Sequence, residues 1–206
     1  MDLNLGLIAS GQGSNFKAIV ENIEKKILIA RPMILITNNP DAGVIKVARD
    51  HHIPSKILND KHHEPYSSLD EAILKELIKS SVNLVVLAGY MKQIGNAVLD
   101  HYHNRVLNIH PAIDLVRYGG KGMYGMNVHD AVIRSGDDES GATVHLADEI
   151  YDHGRILGRE KVPVFPSDTS EDLAARVLKV EHKIYTDVLI GIQQGRILLN
   201  QSIPNP

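Results

Sequence analysis

Asn108-Ile109-His110-Pro111 is the segment of this chain best equipped for chemistry. In an extended strand successive side chains alternate, so Asn108 and His110 share one face, and Pro111 stops the strand directly after them. An amide donor beside an imidazole suits acyl transfer, because both can hydrogen-bond to the oxyanion of a carbonyl carbon turning tetrahedral. One such donor is typically worth about 10²–10³ in rate. The pair also fits a plainer account, a buried histidine satisfied by a neighbouring asparagine. Further along, Glu149-Ile150-Tyr151-Asp152-His153-Gly154 offers a loop carboxylate. Beside His110, Asp152 would favour the charged ring and could take a proton directly or through water. Alone, it is equally an aspartate in a turn that ends on glycine.

Ser10-Gly11-Gln12-Gly13-Ser14-Asn15 is a second constellation. Its glycines allow close backbone approach, and free amides at the start of a following helix favour an anion such as phosphate. An ordinary strand–helix turn has the same composition. It is no dinucleotide fingerprint: Phe16 stands at the third glycine position, and Thr37-Asn38-Asn39 lacks the acidic residue that holds a ribose. A Walker loop is also missing, which leaves a mononucleotide or a sugar phosphate. The chain has no cysteine, so disulfides, thiolate nucleophiles and cysteine-based metal sites are excluded. Its 11 histidines include the adjacent pairs His51-His52 and His62-His63, whose side chains diverge, and no His-Glu-x-x-His motif occurs. No metal is expected. His101 and His103 read as exposed residues at a helix end, and His145 as a supporting residue on a strand near the site.

Elements to position these groups follow from hydrophobic periodicity. Short apolar runs at 3–9, 33–37, 55–58, 84–88 and 105–110 read as buried strands. Helical spacing fills the intervals at 14–25, 44–51, 69–79 and 95–101. Strand and helix alternate, and right-handed crossovers then give an α/β, three-layer Rossmann-like fold: a mostly parallel twisted sheet with helices on both faces. Residues 111–126 are glycine-rich and irregular, and a helix follows at 128–135. Strands at 141–147 and 155–164 flank a hairpin-like excursion, and a long helix begins near Thr169-Ser170. One domain over 1–206 is expected, with a flexible tail from about residue 197.

The 206 residues are 43% hydrophobic, enough for a sizeable core, and 22 Lys plus Arg against 25 Asp plus Glu leave a net charge of −3. Such a balance draws the protein neither to nucleic acid nor to anionic membrane, so an anionic ligand needs a local device. The N-terminus lacks the basic region of a signal peptide and no apolar run approaches about 18 residues, which points to the cytoplasm.

Taken in order, Ser-Gly-x-Gly-Ser-Asn, Leu-Ala-Gly-Tyr-Met, Asn-Ile-His-Pro, Gly-Ala-Thr-Val-His and Asp-x-Gly resemble the phosphoribosylglycinamide formyltransferase (GAR transformylase) family. The likeness runs from about Leu5 to Arg196. It implies a formyltetrahydrofolate-dependent enzyme that formylates the amine of glycinamide ribonucleotide (GAR) in purine synthesis, with 10-formyltetrahydrofolate as cosubstrate. Asn108, His110 and Asp152 fall on the family's catalytic triad. Gly11, Gln12, Gly13, Ser14 and Asn15 fall on the turn that takes the substrate's phosphate, and Glu181 on an acidic residue that contacts the sugar nucleotide. Met91, Lys92, Gln93 and Ile94 match the folate pocket, with Lys92 where arginine is commoner. Asp148, Glu149, Ile150 and Tyr151 match the loop around the pterin, and His63 matches a position often held by arginine. Small-molecule substrates, no nucleic acid or membrane partner, and a monomer or homodimer are the corresponding expectations.

The chain departs from the family after Pro111. Ala112-Ile113-Asp114-Leu115-Val116-Arg117-Tyr118 lacks the usual proline, is one residue longer, and puts a charge at Asp114 where an apolar side chain is expected. The alternatives are formyltetrahydrofolate deformylase, which uses water as acceptor and usually adds an N-terminal domain that a first strand at Leu3 leaves no room for, and a non-catalytic nucleotide-binding module. A methionyl-tRNA formyltransferase would need a further domain and a basic surface.

Overall fold

A computed structural model describes residues 2–61 and 66–200. The chain runs β1 (Leu3–Ile8), α1 (Ser14–Glu24), β2 (Ala30–Thr37), α2 (Val44–Asp50), β3 (Ser55–Ile57), α3 (Tyr66–Lys79), β4 (Leu84–Leu87), α4 (Asn96–His101) and β5 (Val106–His110). It continues with α5 (Leu115–Tyr118), α6 (Met126–Ser135), β6 (Glu139–Leu146), β7 (Ile156–Pro163) and α7 (Ser170–Gln193). The strands form a seven-stranded sheet in the order β3-β2-β1-β4-β5-β6-β7. β1 to β5 pair in parallel, whereas β6 is antiparallel to both β5 and β7. No described helix is long and apolar enough to cross a membrane.

Strand alternation divides the buried residues between two faces. Leu5, Leu7, Leu84 and Val86 pack into one cluster with Phe16, Ile19, Val177 and Leu189, from α1 and α7. Ile8, Val85 and Leu87 pack into the other with Leu69, Ile73, Leu77 and Val98, from α3 and α4. Gly6 permits the second contact, since a Cβ there would lie 2.5 Å from Leu77 Cδ2. The three-layer α/β reading therefore holds.

Helix α7 is the main brace. A Thr169–Asp172 capping box starts it. Midway along, the buried Tyr185 hydroxyl lies 3.0 Å from the carbonyl oxygens of both Leu87, the last residue of β4, and Leu107, the second residue of β5. The sheet order reverses beside β1, with β2 on one side and β4 on the other, so β1 and β4 open a crevice at their carboxyl ends.

Two segments differ from the sequence reading. Within 111–126 the chain builds α5, because the Asp114 carboxylate accepts from the amides of Val116 and Arg117 and so caps a short helix. The charge that looked misplaced is a helix cap. Residues 197–199, expected to trail from the fold, are tied down. Ile197 packs on Gly191, Leu199 is buried, and Arg155 donates to the carbonyls of Leu198 and Leu199 at 2.8 and 3.0 Å.

Candidate active site

Asn108 and His110 occupy the carboxyl end of β5, on one face as the strand period requires. The antiparallel register sets His145 of β6 opposite Asn108 and Thr143 opposite His110. Asp152, on the loop after β6, reaches back into this group. Its Oδ2 lies 3.4 Å from His110 Nδ1, and its Oδ1 lies 3.3 Å from Asn108 Nδ2 and 3.4 Å from His145 Nε2. The Gly120 amide donates to Oδ2 at 2.9 Å. His145 is itself held, its Nδ1 lying 2.8 Å from the Leu146 carbonyl oxygen and its Nε2 3.1 Å from Asn108 Nδ2. Burial works against ionising Asp152. The hydrogen bonds from His110 and His145, the His110 charge and the Gly120 amide outweigh it, so the carboxyl sits well below the usual carboxylate range.

The other nitrogen of His110, Nε2, donates to the Tyr118 carbonyl oxygen at 2.7 Å. Both ring nitrogens thus face oxygen acceptors, an arrangement that a doubly protonated ring satisfies. Asp152 has a φ of +54°, in the left-handed region, where aspartate is among the few side chains tolerated. Gly154 closes the loop: a Cβ there would lie 1.9 Å from the Leu146 carbonyl oxygen. Only glycine fits, which accounts physically for the Asp-x-Gly pattern. Gly154→Ala should therefore push the 148–154 loop away from β6, lowering the melting temperature by several degrees and kcat by at least tenfold. Melting by circular dichroism and steady-state rates check this, and a variant unchanged in both would refute the packing argument.

The 10–15 turn lies at the carboxyl end of β1. Gly13 adopts φ +78° as the cap of α1 and, lacking a side chain, makes no cap hydrogen bond to the first-turn amides. A Cβ on Gly13 would lie 2.4 Å from Val44 Cγ2, which makes the tight turn a glycine requirement. Gln12 lies against Gly43. Asn15 Nδ2 donates to Glu181 Oε2 on α7 at 2.8 Å, while buried Asn15 Oδ1 has no partner among the described residues. Burial pushes the Glu181 carboxyl above its ordinary range, against the opposing effects of Asn15 and His110.

Residues matched to the folate pocket are spread around the crevice. Met91 and Lys92 line a cavity of about 330 Å³ with Asn108, His110, Tyr151 and Asp152. Gly11 faces this stretch, a Cβ on it coming 4.0 Å from Met91 Cε, and the Met91 amide donates to Ser10 Oγ at 3.0 Å. Gln93 and Ile94 instead border a separate hollow against Asp70 and α4. Asp148, Glu149 and Ile150 border another, beside Leu99 and His103. Gln93 Nε2 nonetheless donates to the Glu149 carbonyl at 2.7 Å and ties the two stretches together. Lys92 is paired with Asp60 at 2.6 Å. His63 lies outside the described residues.

A family model described as formyl transferase matches residues 3–189. The chain belongs to the formyl transferase family. It is 41% identical to a chloroplastic phosphoribosylglycinamide formyltransferase of Vigna unguiculata, over 98% of this chain but 67% of that longer protein. It is 33% identical to the phosphoribosylglycinamide formyltransferase of Haemophilus influenzae, covering 97% of this chain and 91% of the relative. Among solved structures, glycinamide ribonucleotide transformylase 1 from Symbiobacterium toebii superposes with a TM-score of 0.89 at 29% identity, covering 95% of this chain and 90% of the other.

The candidate residues of this formyl transferase lie where an open α/β sheet binds ligands, at the carboxyl ends of β1, β4 and β5. Spacing alone missed two contributors, the Tyr118 carbonyl and the Gly120 amide. Both are backbone groups in a segment whose sequence reads as irregular, and no side-chain pattern betrays them.

Proposed function

We propose that this chain transfers the formyl group of 10-formyltetrahydrofolate to the amine of glycinamide ribonucleotide, in purine synthesis, as a single formyltransferase domain. The observation that carries the proposal is the convergence of His110 Nδ1, Asn108 Nδ2 and the Gly120 amide on Asp152 at the end of β5. The names of the relatives supply the substrate class.

In this mechanism the neutral amine attacks the formyl carbon. His110 Nδ1 and the Asn108 amide, both turned on Asp152 in the free protein, exchange that contact for hydrogen bonds to the oxygen as it gains charge, while His110 Nε2 stays on the Tyr118 carbonyl. Asp152, kept ionised by its donors, holds His110 in place and accepts the ammonium proton, which then passes to the folate nitrogen as its bond to carbon breaks. One C–N bond forms, one breaks and one proton moves. No covalent enzyme intermediate is needed, and holding both substrates in one crevice contributes through proximity. The amides at Gly13–Asn15 suit the phosphate. Glu181 and the unpartnered Asn15 Oδ1 present acceptors to the sugar hydroxyls.

Purified protein mixed with glycinamide ribonucleotide and a 10-formyl folate tests the reading by following folate deformylation with and without the amine. Turnover that requires the amine supports transfer. Turnover without it marks the hydrolase, and saturable binding without turnover marks a binding module.

Glu181→Gln probes the substrate side. The folded-state pKa of Glu181 is raised, so its favourable contribution is present below the unfolded value of about 4.3 and lost as pH rises through the folded value. The amide keeps the Asn15 bond without a buried charge. The variant should melt roughly 2–4 °C higher at neutral pH, about the shift that 1 kcal/mol gives a protein of this size, and match wild type near pH 4. The KM for the ribonucleotide should rise about tenfold, as loss of a charged hydrogen bond implies. An unchanged KM would remove Glu181 from the binding site.

A further inference from the structure

The segment Tyr118–Gly120 touches both halves of the His110–Asp152 pair. The Tyr118 carbonyl oxygen accepts from His110 Nε2 at 2.7 Å, and two residues later the Gly120 amide donates to Asp152 Oδ2 at 2.9 Å. What holds this segment is a latch on its outer side. The Tyr118 hydroxyl donates to Asp137 Oδ2 at 2.6 Å and lies 2.7 Å from Ser135 Oγ. Arg117 Nη1 donates to Asp137 Oδ1 and Oδ2 at 2.8 and 2.9 Å, and its guanidinium stands 5.1 Å from the centre of the Tyr118 ring. Asp137 lies just beyond Gly136, which ends α6 at φ +71° and turns the chain into β6. The Tyr118 ring is 5% exposed, while Arg117 is half exposed. The same short helix is capped at its other end by Asp114, so α5 is clamped at both ends.

Resting on the formyl-transfer reading, we infer that Asp137 and the Tyr118 hydroxyl are positioning residues. They lock α5 so that the Tyr118 carbonyl and the Gly120 amide hold His110 and Asp152 in register for the reaction. Neither Asp137 nor the hydroxyl lines the cavity of about 330 Å³ that His110 and Asp152 border. Their effect must therefore travel through the backbone of residues 118–120. A short anchored helix is a sound lever, because a displacement of even 1 Å at a reacting centre can cost about 10²-fold in rate. Hydrogen bonds from the Tyr118 hydroxyl and from Arg117 also keep the Asp137 carboxyl below its usual range, as expected of a carboxylate committed to this contact.

The test uses Tyr118→Phe and Asp137→Asn, each verified as folded by circular dichroism and melting. Both should lower kcat about tenfold while the KM values for ribonucleotide and folate stay within twofold. The double variant should be no worse than the weaker single one, because either change opens the same latch. The second readout needs no turnover: the ¹H–¹⁵N resonance of His110 Nε2–H should shift or broaden in both variants, while that of His145 Nδ1–H stays in place. Folded variants with wild-type kcat and an unmoved His110 resonance would overturn the proposal. If the wild-type protein transfers no formyl group, the functional reading fails. The resonance then decides the positioning role alone, its shift supporting the latch and its constancy overturning it.

Discussion

Asp152→Asn should reduce kcat by about 10³–10⁴-fold, the upper part of what a positioned proton acceptor supplies, with KM values changed far less. Asparagine matches aspartate in size and tolerates the left-handed backbone that residue 152 adopts at φ +54°, so the loop should keep its course. What changes is charge and hydrogen-bond direction. Four groups, His110 Nδ1, His145 Nε2, Asn108 Nδ2 and the Gly120 amide, point at the two carboxylate oxygens. An amide offers one oxygen and turns N–H groups toward the others. It can neither take the ammonium proton nor balance a charged His110. Stability carries a second signature. The carboxyl is held below its usual range, so its contribution is present above the unfolded pKa of about 3.9 and lost as pH falls through the folded value. Wild type should melt higher than Asp152→Asn at pH 7, and the two should converge well below pH 4. Pre-steady-state and steady-state rates, with melts across pH, check both halves. A variant within tenfold of wild type would remove Asp152 from proton transfer.

His110→Ala should cost about 10³-fold in kcat, the upper end of what a single oxyanion donor is usually worth. The ring holds two roles at once: Nε2 is tied to the Tyr118 carbonyl, while Nδ1 faces Asp152. Its removal deletes a donor to the forming oxyanion and leaves a buried carboxylate without one of its two imidazole partners. The double variant His110→Ala/Asp152→Asn should be scarcely slower than the worse single one, because residues that act as a unit lose their joint contribution only once. Fully additive losses would mean that the two act at separate steps, which the shared contact argues against. His110 is only 4% exposed, so thermal melts must accompany the rates to separate lost chemistry from lost packing.

Much of this arrangement was legible beforehand. The buried runs at 3–9 and 84–88 and the helical stripe at 69–79 are strong local patterns, and their alternation leads to a mostly parallel, three-layer sheet. Asn108 and His110 share a face for a reason as local as the strand period, and Pro111 marks the end of the strand. The Gly13 turn likewise follows from residues adjacent in the chain.

Contacts between distant segments were implied by the family resemblance and were not legible in local spacing. His145 meets Asn108 because β6 pairs with β5 in one particular antiparallel register, and a slip of a single residue would turn the histidine to the other face. Asp152 joins the group because a glycine two residues later lets the loop pass against the Leu146 carbonyl. Asn15 and Glu181 bond across 166 residues of sequence, a separation that no local periodicity spans. The 112–126 stretch departs furthest from local expectation. An aspartate that looked out of place caps α5, and Tyr118 lends its carbonyl to His110 and its hydroxyl to Asp137. Periodicity arises from each residue's neighbours in the chain and is therefore written in composition and spacing. The meeting of His110, Asp152 and the backbone of residues 118–120 depends on how the whole sheet closes, which is a property of packing and of no single segment.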